Sequence, residues 1–178
     1  MIMKYTNDQI RRQDRLLDIS LATNILKNGE YGVLSMQNDN GGGYGIPISY
    51  VWDGEMAIYI HCAPKGHKLR CLQNCNQVSF CIVGRTEVIP NKFTTKYESV
   101  ILHCTAHVGL PAEERMKALE LILGKYSPDD KIVGMKYAEK SFHRTEIIRL
   151  DILEFSGKCK ANDKDKILQS AQSHTKIK

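Results

Sequence analysis

The sequence predicts a mainly β protein, a six-stranded antiparallel barrel with helices at its periphery. Three observations predict it. Six runs of strand length rich in β-branched and aromatic residues succeed one another, Gly/Asn/Asp clusters separate several of them, and only the stretch near 111–126 has the sustained spacing of a long helix.

In chain order, residues 1–17 are charged and read as an arm or a short helix. Asp18 can cap a helix whose apolar positions are Ile19, Ala22, Ile25 and Leu26, and Asn28-Gly29 ends it. Tyr31–Met36 is the first strand. The Asn/Asp/Gly-rich stretch Gln37–Gly43 is a turn. Tyr44–Trp52 is the second strand, with Pro47 arguing for an edge or a bulge. Asp53-Gly54 signals a hairpin into the third strand, Glu55–Cys62. A short helix over His67–Cys75 precedes the fourth strand, Gln77–Val83, and a loop runs from Gly84 through Tyr97. Ser99–Val108 is the fifth strand. The clearest helix is Pro111–Lys125, with proline at the first helical position and an apolar stripe of Ala112, Met116, Leu119, Leu123 and Tyr126. A shorter helix covers Lys131–Glu139 and the last strand Arg144–Phe155. The strand-helix-strand step at 55–83 leaves room for some mixed pairing.

The chain has 178 residues, enough for one domain that buries a core without disulfides. Apolar residues make up 42% and charged residues 25%, the range of ordinary globular proteins. No apolar run is long enough to span a membrane and the N-terminus lacks a signal-peptide segment, so no membrane partner and a cytoplasmic location are expected. Cys62, Cys71, Cys75, Cys81, Cys104 and Cys159 sit mostly in apolar runs and are expected as free thiols. The net charge of +5 is uneven: residues 157–178 carry six lysines against two aspartates. The expected organisation is a domain over 1–156 and a solvated basic tail over 157–178. With little net charge left on the domain, nucleic acid is not an expected partner.

The stretch His61-Cys62-Ala63-Pro64-Lys65-Gly66-His67-Lys68-Leu69 carries the most chemistry. Gly66 lets the backbone turn closely before a helix whose first-turn N–H groups favour an anion. His67 and Lys68 add a donor and a positive charge there, which helix stability alone disfavours. A phosphate site and a plain solvated lysine beside a packed histidine weigh about equally on these residues alone.

Other clusters point less far. His67, Cys71 and Cys75 are spaced by four, but three ligands so placed on one helix span too far for one ion, and no metal is expected. His103 and His107 share a strand face and motivate a haem reading, although polar strand residues facing water are commoner. Tyr44, Tyr50, Trp52, Phe93 and Tyr97 could wall a flat ring, or each could simply pack. No Walker loop, G-x-G-x-x-G or G-x-S-x-G element occurs.

Taken together, several segments resemble a nitroimidazole-resistance (Nim) type protein of the pyridoxamine 5'-phosphate oxidase-like FMN-binding split-barrel superfamily. They are Glu30-Tyr31-Gly32-Val33-Leu34-Ser35, Tyr44 through Val51, Tyr59 through Ala63, Gly66-His67-Lys68-Leu69 and Val78-Ser79-Phe80. Phe93 through Val100 and Lys140-Ser141-Phe142-His143-Arg144-Thr145 continue the likeness, which covers roughly residues 10–160.

The resemblance implies a split β-barrel homodimer with flavin at the subunit interface. FMN is the expected cofactor, FAD the alternative, and haem a more distant one. His61-Cys62 and His67-Lys68 stand where the oxidases hold the FMN phosphate with Tyr-Thr and Arg-Lys pairs. Lysine is kept and arginine is replaced by histidine, which makes the grip weaker and pH-sensitive. Ile48, Ser49, Tyr50 and Val51 would run along the isoalloxazine ring, and Ser99 would face it. His61 and His67 are the candidates for catalytic residues. The implied activity is an FMN-dependent oxidoreductase that takes electrons from a small reductant and passes them to a small acceptor such as a nitroaromatic compound. A non-catalytic flavin carrier or sensor, or a haem-binding protein on the same barrel, is the competing reading.

Overall fold

The computed structural model describes residues 3–160 apart from 7 and 9. Most of the expected basic tail, residues 161–178, lies outside the described residues.

The chain runs β1 (Lys4–Tyr5), α1 (Ile19–Asn28), β2 (Gly32–Gln37), β3 (Gly43–Ile48), β4 (Val51–Trp52) and β5 (Ala57–Cys62). It continues with α2 (His67–Asn74), β6 (Gln77–Ile89), β7 (Thr94–His107), α3 (Ala112–Tyr126), α4 (Lys131–Ser141) and β8 (Glu146–Lys160). The strands form one sheet in the order β3-β2-β6-β7-β8-β5-β4, with β1 beside β8. All pairs among the described residues are antiparallel except β1 with β8. The sheet does not close. It ends on β3 at one edge and β4 at the other, so the split falls between two strands that are consecutive in the chain.

The architecture is the predicted one, with corrections to its elements. Eight strands stand among the described residues where six were expected. One extra strand is β1, a short parallel addition to β8. The other arises because Tyr44–Trp52 breaks into β3 and β4 at Ser49-Tyr50. There the Tyr126 hydroxyl accepts from the Tyr50 N–H at 3.0 Å, and the Lys125 ammonium donates to the Tyr50 carbonyl at 2.9 Å. Backbone groups that would continue a ladder are taken by the end of α3. The expected loop over 84–97 is instead a ribbon that extends β6 and β7, pairing Thr86 with Tyr97 and Ile89 with Thr94. A register shift lies between Val83 and Thr86, and Phe93 at the turn takes φ +48°. Residues 85–93 of the ribbon are mostly exposed. They therefore show none of the apolar alternation by which a half-buried strand is recognised. The last strand reaches Lys160 rather than Phe155. β5 and β6 are not neighbours, so the step at 55–83 makes no mixed pair.

The Asp18 carboxylate caps α1 by accepting from the Leu21 N–H at 2.9 Å, and the helix buries Ala22 and Leu26 fully. The main core includes Leu26, Leu34, Phe80, Leu102, Leu150 and Phe155, all at 0% exposure. A second cluster lies where α3 and α4 cover the outer face of β4, β5 and β8, around Val51, Tyr59 and Ile147. The buried face of α3 is Ala118, Leu119 and Ile122, not the predicted stripe, of which only Leu119 is buried. Pro47 stands on the edge strand β3, as its missing N–H requires. No helix among the described residues is long and apolar enough to cross a membrane.

Candidate functional site

The corner between β5 and α2 brings three of the singled-out residues together. β5 runs straight into α2 through Gly66, which has φ +156° and open space where a Cβ would stand. No side chain caps the helix. Its first backbone bond is the long one from the Arg70 N–H to the Gly66 carbonyl at 3.4 Å, which leaves the first-turn N–H groups without helical partners. Lys68, half-buried, lies close enough to act on both His61 and Cys62. The protein around the His61 ring, and then the Lys68 ammonium, hold His61 below the usual imidazole range, although the residue keeps an exposed edge. Burial pushes the Cys62 thiol up, while Lys68 pulls it back. The corner thus combines an uncapped helix start, an ammonium and an imidazole that is neutral at pH 7. That arrangement is suited to a phosphate group.

His67 faces elsewhere. Its Nδ1 lies 3.0 Å from Arg70 Nη2 and 3.6 Å from Asp39 Oδ2, its Nε2 lies 3.6 Å from Cys71 Sγ, and the Tyr44 ring meets it edge-on. What it offers the corner is its backbone N–H. Cys75 does not join this group; its thiol points to the Gln77 carbonyl at 3.8 Å. The six cysteines form no disulfide.

The segment 48–51 occupies the split. Ile48 is half-buried and ends β3, Ser49 is exposed, and the Tyr50 and Val51 side chains are buried. The Tyr50 hydroxyl donates to the Leu26 carbonyl at 2.6 Å, and burial pushes its pKa up. Beneath it the Lys125 ammonium sits 3.8 Å from the Tyr50 ring centre and also donates to the Gly29 carbonyl at 2.7 Å. Burial pushes Lys125 down to about 8. Tyr126 completes the clamp by donating to the Glu30 carbonyl at 2.6 Å. Sequence reading placed Lys125 and Tyr126 at a helix end and missed this role. No spacing rule relates them to Gly29 or Tyr50, which the chain brings near only by folding.

Ser99 is not part of the same corner. It pairs with Lys158, whereas His61 pairs with Ile147 near the other end of β8, roughly 36 Å along the strand at ~3.3 Å per residue. His103 is exposed, and the His107 imidazole Nε2 lies 3.0 Å from Asp151 Oδ2. His107 lines a second feature that sequence reading missed, a cleft of about 470 Å³ that includes Tyr59, Thr105, Arg149 and Asp151. Arg149, Asp151 and His107 are already paired, and the Asp53 carboxylate accepts from the Glu55 and Ala57 N–H groups. Arg149 Nη1 donates to Glu114 Oε1 at 2.8 Å, Arg149 Nε lies 2.8 Å from Asp151 Oδ1, and the Tyr59 hydroxyl donates to Glu114 at 3.1 Å. Burial, helped by Glu114, pushes Tyr59 up to about 12. The sequence signal was the outward alternation Arg149-x-Asp151, which needs the register against Thr105 and His107 to gain meaning.

Comparisons with known proteins follow the fold. A family model described as pyridoxamine 5'-phosphate oxidase matches residues 20–159. No curated protein matches the sequence. Among solved structures, a candidate 5-nitroimidazole antibiotic resistance protein of Bacteroides thetaiotaomicron is 18% identical. It has a TM-score of 0.70 and covers 82% of this chain and 86% of its own. The FAD and heme binding protein of Mycobacterium smegmatis is 18% identical with a TM-score of 0.62, covering 86% of this chain and 78% of its own. A FAD-binding protein of Mesorhizobium loti is 19% identical with a TM-score of 0.56, covering 83% and 97%.

Proposed function

The chain belongs to the pyridoxamine 5'-phosphate oxidase family, and from that premise we propose that it is a cytoplasmic FMN-dependent oxidoreductase acting on small molecules, nitroaromatic compounds among them. The observation that carries this reading is the phosphate-type corner at β5–α2, which lies inside the matched residues. The likeness to a candidate nitroimidazole-resistance protein and to two FAD-binding proteins supports it.

Lys68 and the free N–H groups at the start of α2, that of His67 included, would hold the phosphate. His61 and Cys62 would border it. The edge of β3 and the exposed Ser49 at the split would face the ring, while Lys125 and Tyr126 fix Tyr50 and Val51 behind it. When bound, the flavin supplies the hydride and single-electron chemistry. Of the two histidines, His61 is the better placed to accept a proton, because it is held below the usual imidazole range and both ring nitrogens of His67 already face other side chains.

A second copy of the chain would complete the site. The outer face of the sheet carries an apolar row in which Pro47, Val33, Cys81 and Ile101 are successive cross-strand partners. Val83 and Ile101 are 52% and 41% exposed there. A dimer on this face would cover the row and take in Ser99, the cross-strand partner of Val83. Ile101→Glu is expected to convert a dimer to a monomer in light scattering and to abolish flavin binding with it. A dimer that survives the substitution places the interface elsewhere.

The direct test is the absorbance spectrum of the purified protein, with mass analysis of what it releases on denaturation. Released FMN supports the reading, and a Soret band transfers it to haem, for which His103 is the exposed candidate. Lys68→Ala is expected to weaken FMN binding by about tenfold or more, the scale of one charge-assisted phosphate contact, with the melting temperature little changed. Unchanged affinity removes the corner as the phosphate site.

A further inference from the structure

We propose that Asp39, His67 and Cys71 form a site for a divalent metal ion of the zinc class, tying the β2–β3 turn to α2. His67 and Cys71 are four residues apart on α2 and share one face. Asp39 reaches them from the turn between β2 and β3. One ligand atom from each residue lies within 4.8 Å of the other two.

The spacing of two of these atoms fits an ion closely. His67 Nε2 and Cys71 Sγ are 3.6 Å apart. A tetrahedral ion with Zn–N of about 2.0–2.1 Å and Zn–S of about 2.3 Å sets its nitrogen and sulfur ligands about 3.6 Å apart. The pair therefore already spans one edge of such a tetrahedron. Asp39 Oδ2 now lies 3.6 Å from the other ring nitrogen, Nδ1, and Asn74 donates to its Oδ1 at 3.3 Å. To close the third position the carboxylate, 43% exposed, must turn from Nδ1 toward the Nε2 side. Carboxylate, imidazole and thiolate together form a donor set that suits zinc and disfavours calcium or magnesium. Cys71 is fully buried and the His67 side chain is 34% exposed, so an ion would enter from the solvent side, with water as its fourth ligand. The sequence spacing speaks against a metal because His67, Cys71 and Cys75 span too far for one ion; the fold directs Cys75 away and supplies Asp39, 28 residues before His67.

Binding has a definite proton and charge balance. The Cys71 thiol gives its proton to solvent and coordinates as thiolate, and the imidazole stays neutral with its proton on Nδ1. Arg70 is the resident competitor. Its Nη2 lies 3.0 Å from His67 Nδ1 and its Nε 3.6 Å from Asp39 Oδ2. Once Nδ1 carries a proton it cannot accept from Arg70, so the guanidinium must swing into solvent, where most of it already lies.

The test uses the full chain, stripped with a chelator and titrated with Co(II), then with Zn(II) in competition. One equivalent of Co(II) is expected to give the intense visible bands of tetrahedral coordination and a sulfur-to-cobalt charge-transfer band in the near ultraviolet. Cys71→Ala abolishes the charge-transfer band. Asp39→Asn and His67→Gln each weaken binding by about tenfold or more. Arg70→Ala tightens it a few-fold, the scale of one screened unit charge. A charge-transfer band that persists without Cys71, or no Co(II) bound at micromolar concentration, overturns the site. Asp39 and His67 are partly exposed, so their variants keep the test decisive if Cys71→Ala fails to fold: unchanged affinity in both also overturns it. These readouts require no flavin and do not rest on the oxidoreductase reading.

Discussion

Phe80→Ala is expected to lower the free energy of unfolding by about 3–5 kcal/mol, the range for emptying a buried aromatic site. Phe80 is fully buried in the first half of β6, where β2 and β7 flank it, and its ring meets the Tyr50 ring edge-on at 5.1 Å. The reason for so large an effect lies partly across the sheet, at Gly32. A Cβ built there would come 2.3 Å from Phe80 Cε1 and 2.9 Å from the Cys81 carbonyl oxygen. The ring therefore occupies the space that a side chain at 32 would need. Gly32→Ala is expected to cost about 1–3 kcal/mol by overpacking. In the Phe80→Ala background it should cost clearly less, because the new methyl enters vacated space; the Cys81 carbonyl keeps the relief partial. Denaturant unfolding of the four proteins, at one protein concentration, measures the coupling. Equal cost in both backgrounds would mean that Gly32 serves the backbone and not the ring.

Arg149→Met is the second substitution with a large expected effect. Methionine keeps the apolar stem and removes both ion pairs, leaving Glu114 and Asp151 without their shared cation. The pairs are only partly shielded, with Arg149 and Glu114 side chains 27% and 23% exposed. The expected loss is therefore about 1–3 kcal/mol, below the ~3–5 kcal/mol of a fully buried pair. Its pH dependence identifies the cause. Burial raises the Glu114 carboxyl, but hydrogen bonds from Arg149 and Tyr59 outweigh it and hold the group below its ordinary 4.5. A group with a depressed folded pKa contributes its stability above the unfolded value and loses it as pH falls through the folded one. The gap between wild type and Arg149→Met should accordingly be widest near neutrality and narrow below about pH 4.5. A gap that does not change with pH would assign the loss to packing alone.

How far each element was legible follows from the range of the interaction that makes it. The Asp18 cap, the Asp53-Gly54 turn and the helical stretches of α1 to α4 rest on contacts within a few residues, and they stand close to where the sequence places them. The exposed 84–97 ribbon was unreadable because solvent on both faces erases alternation. The break at Ser49-Tyr50 was unreadable because its cause, Lys125 and Tyr126, lies 75 residues or more away in the chain. Within the site, the helix start at His67-Lys68 could be read locally. The direction of each side chain could not, and two adjacent residues turn to different neighbourhoods, Lys68 toward His61 and His67 toward Asp39 and Cys71.

By itself, then, the sequence determined the class of fold, the positions of most strands and helices, and the corner rich in donors before α2. Those depend on side-chain period, on capping and on the backbone freedom of a few glycines, all of which act over one turn of helix or one hairpin. The tertiary structure alone decided where the barrel splits, which charges pair over the outer cleft and which ligand atoms gather beside Cys71. Each of these joins residues separated by tens of positions, and their approach is set by sheet order and register, which no local pattern encodes.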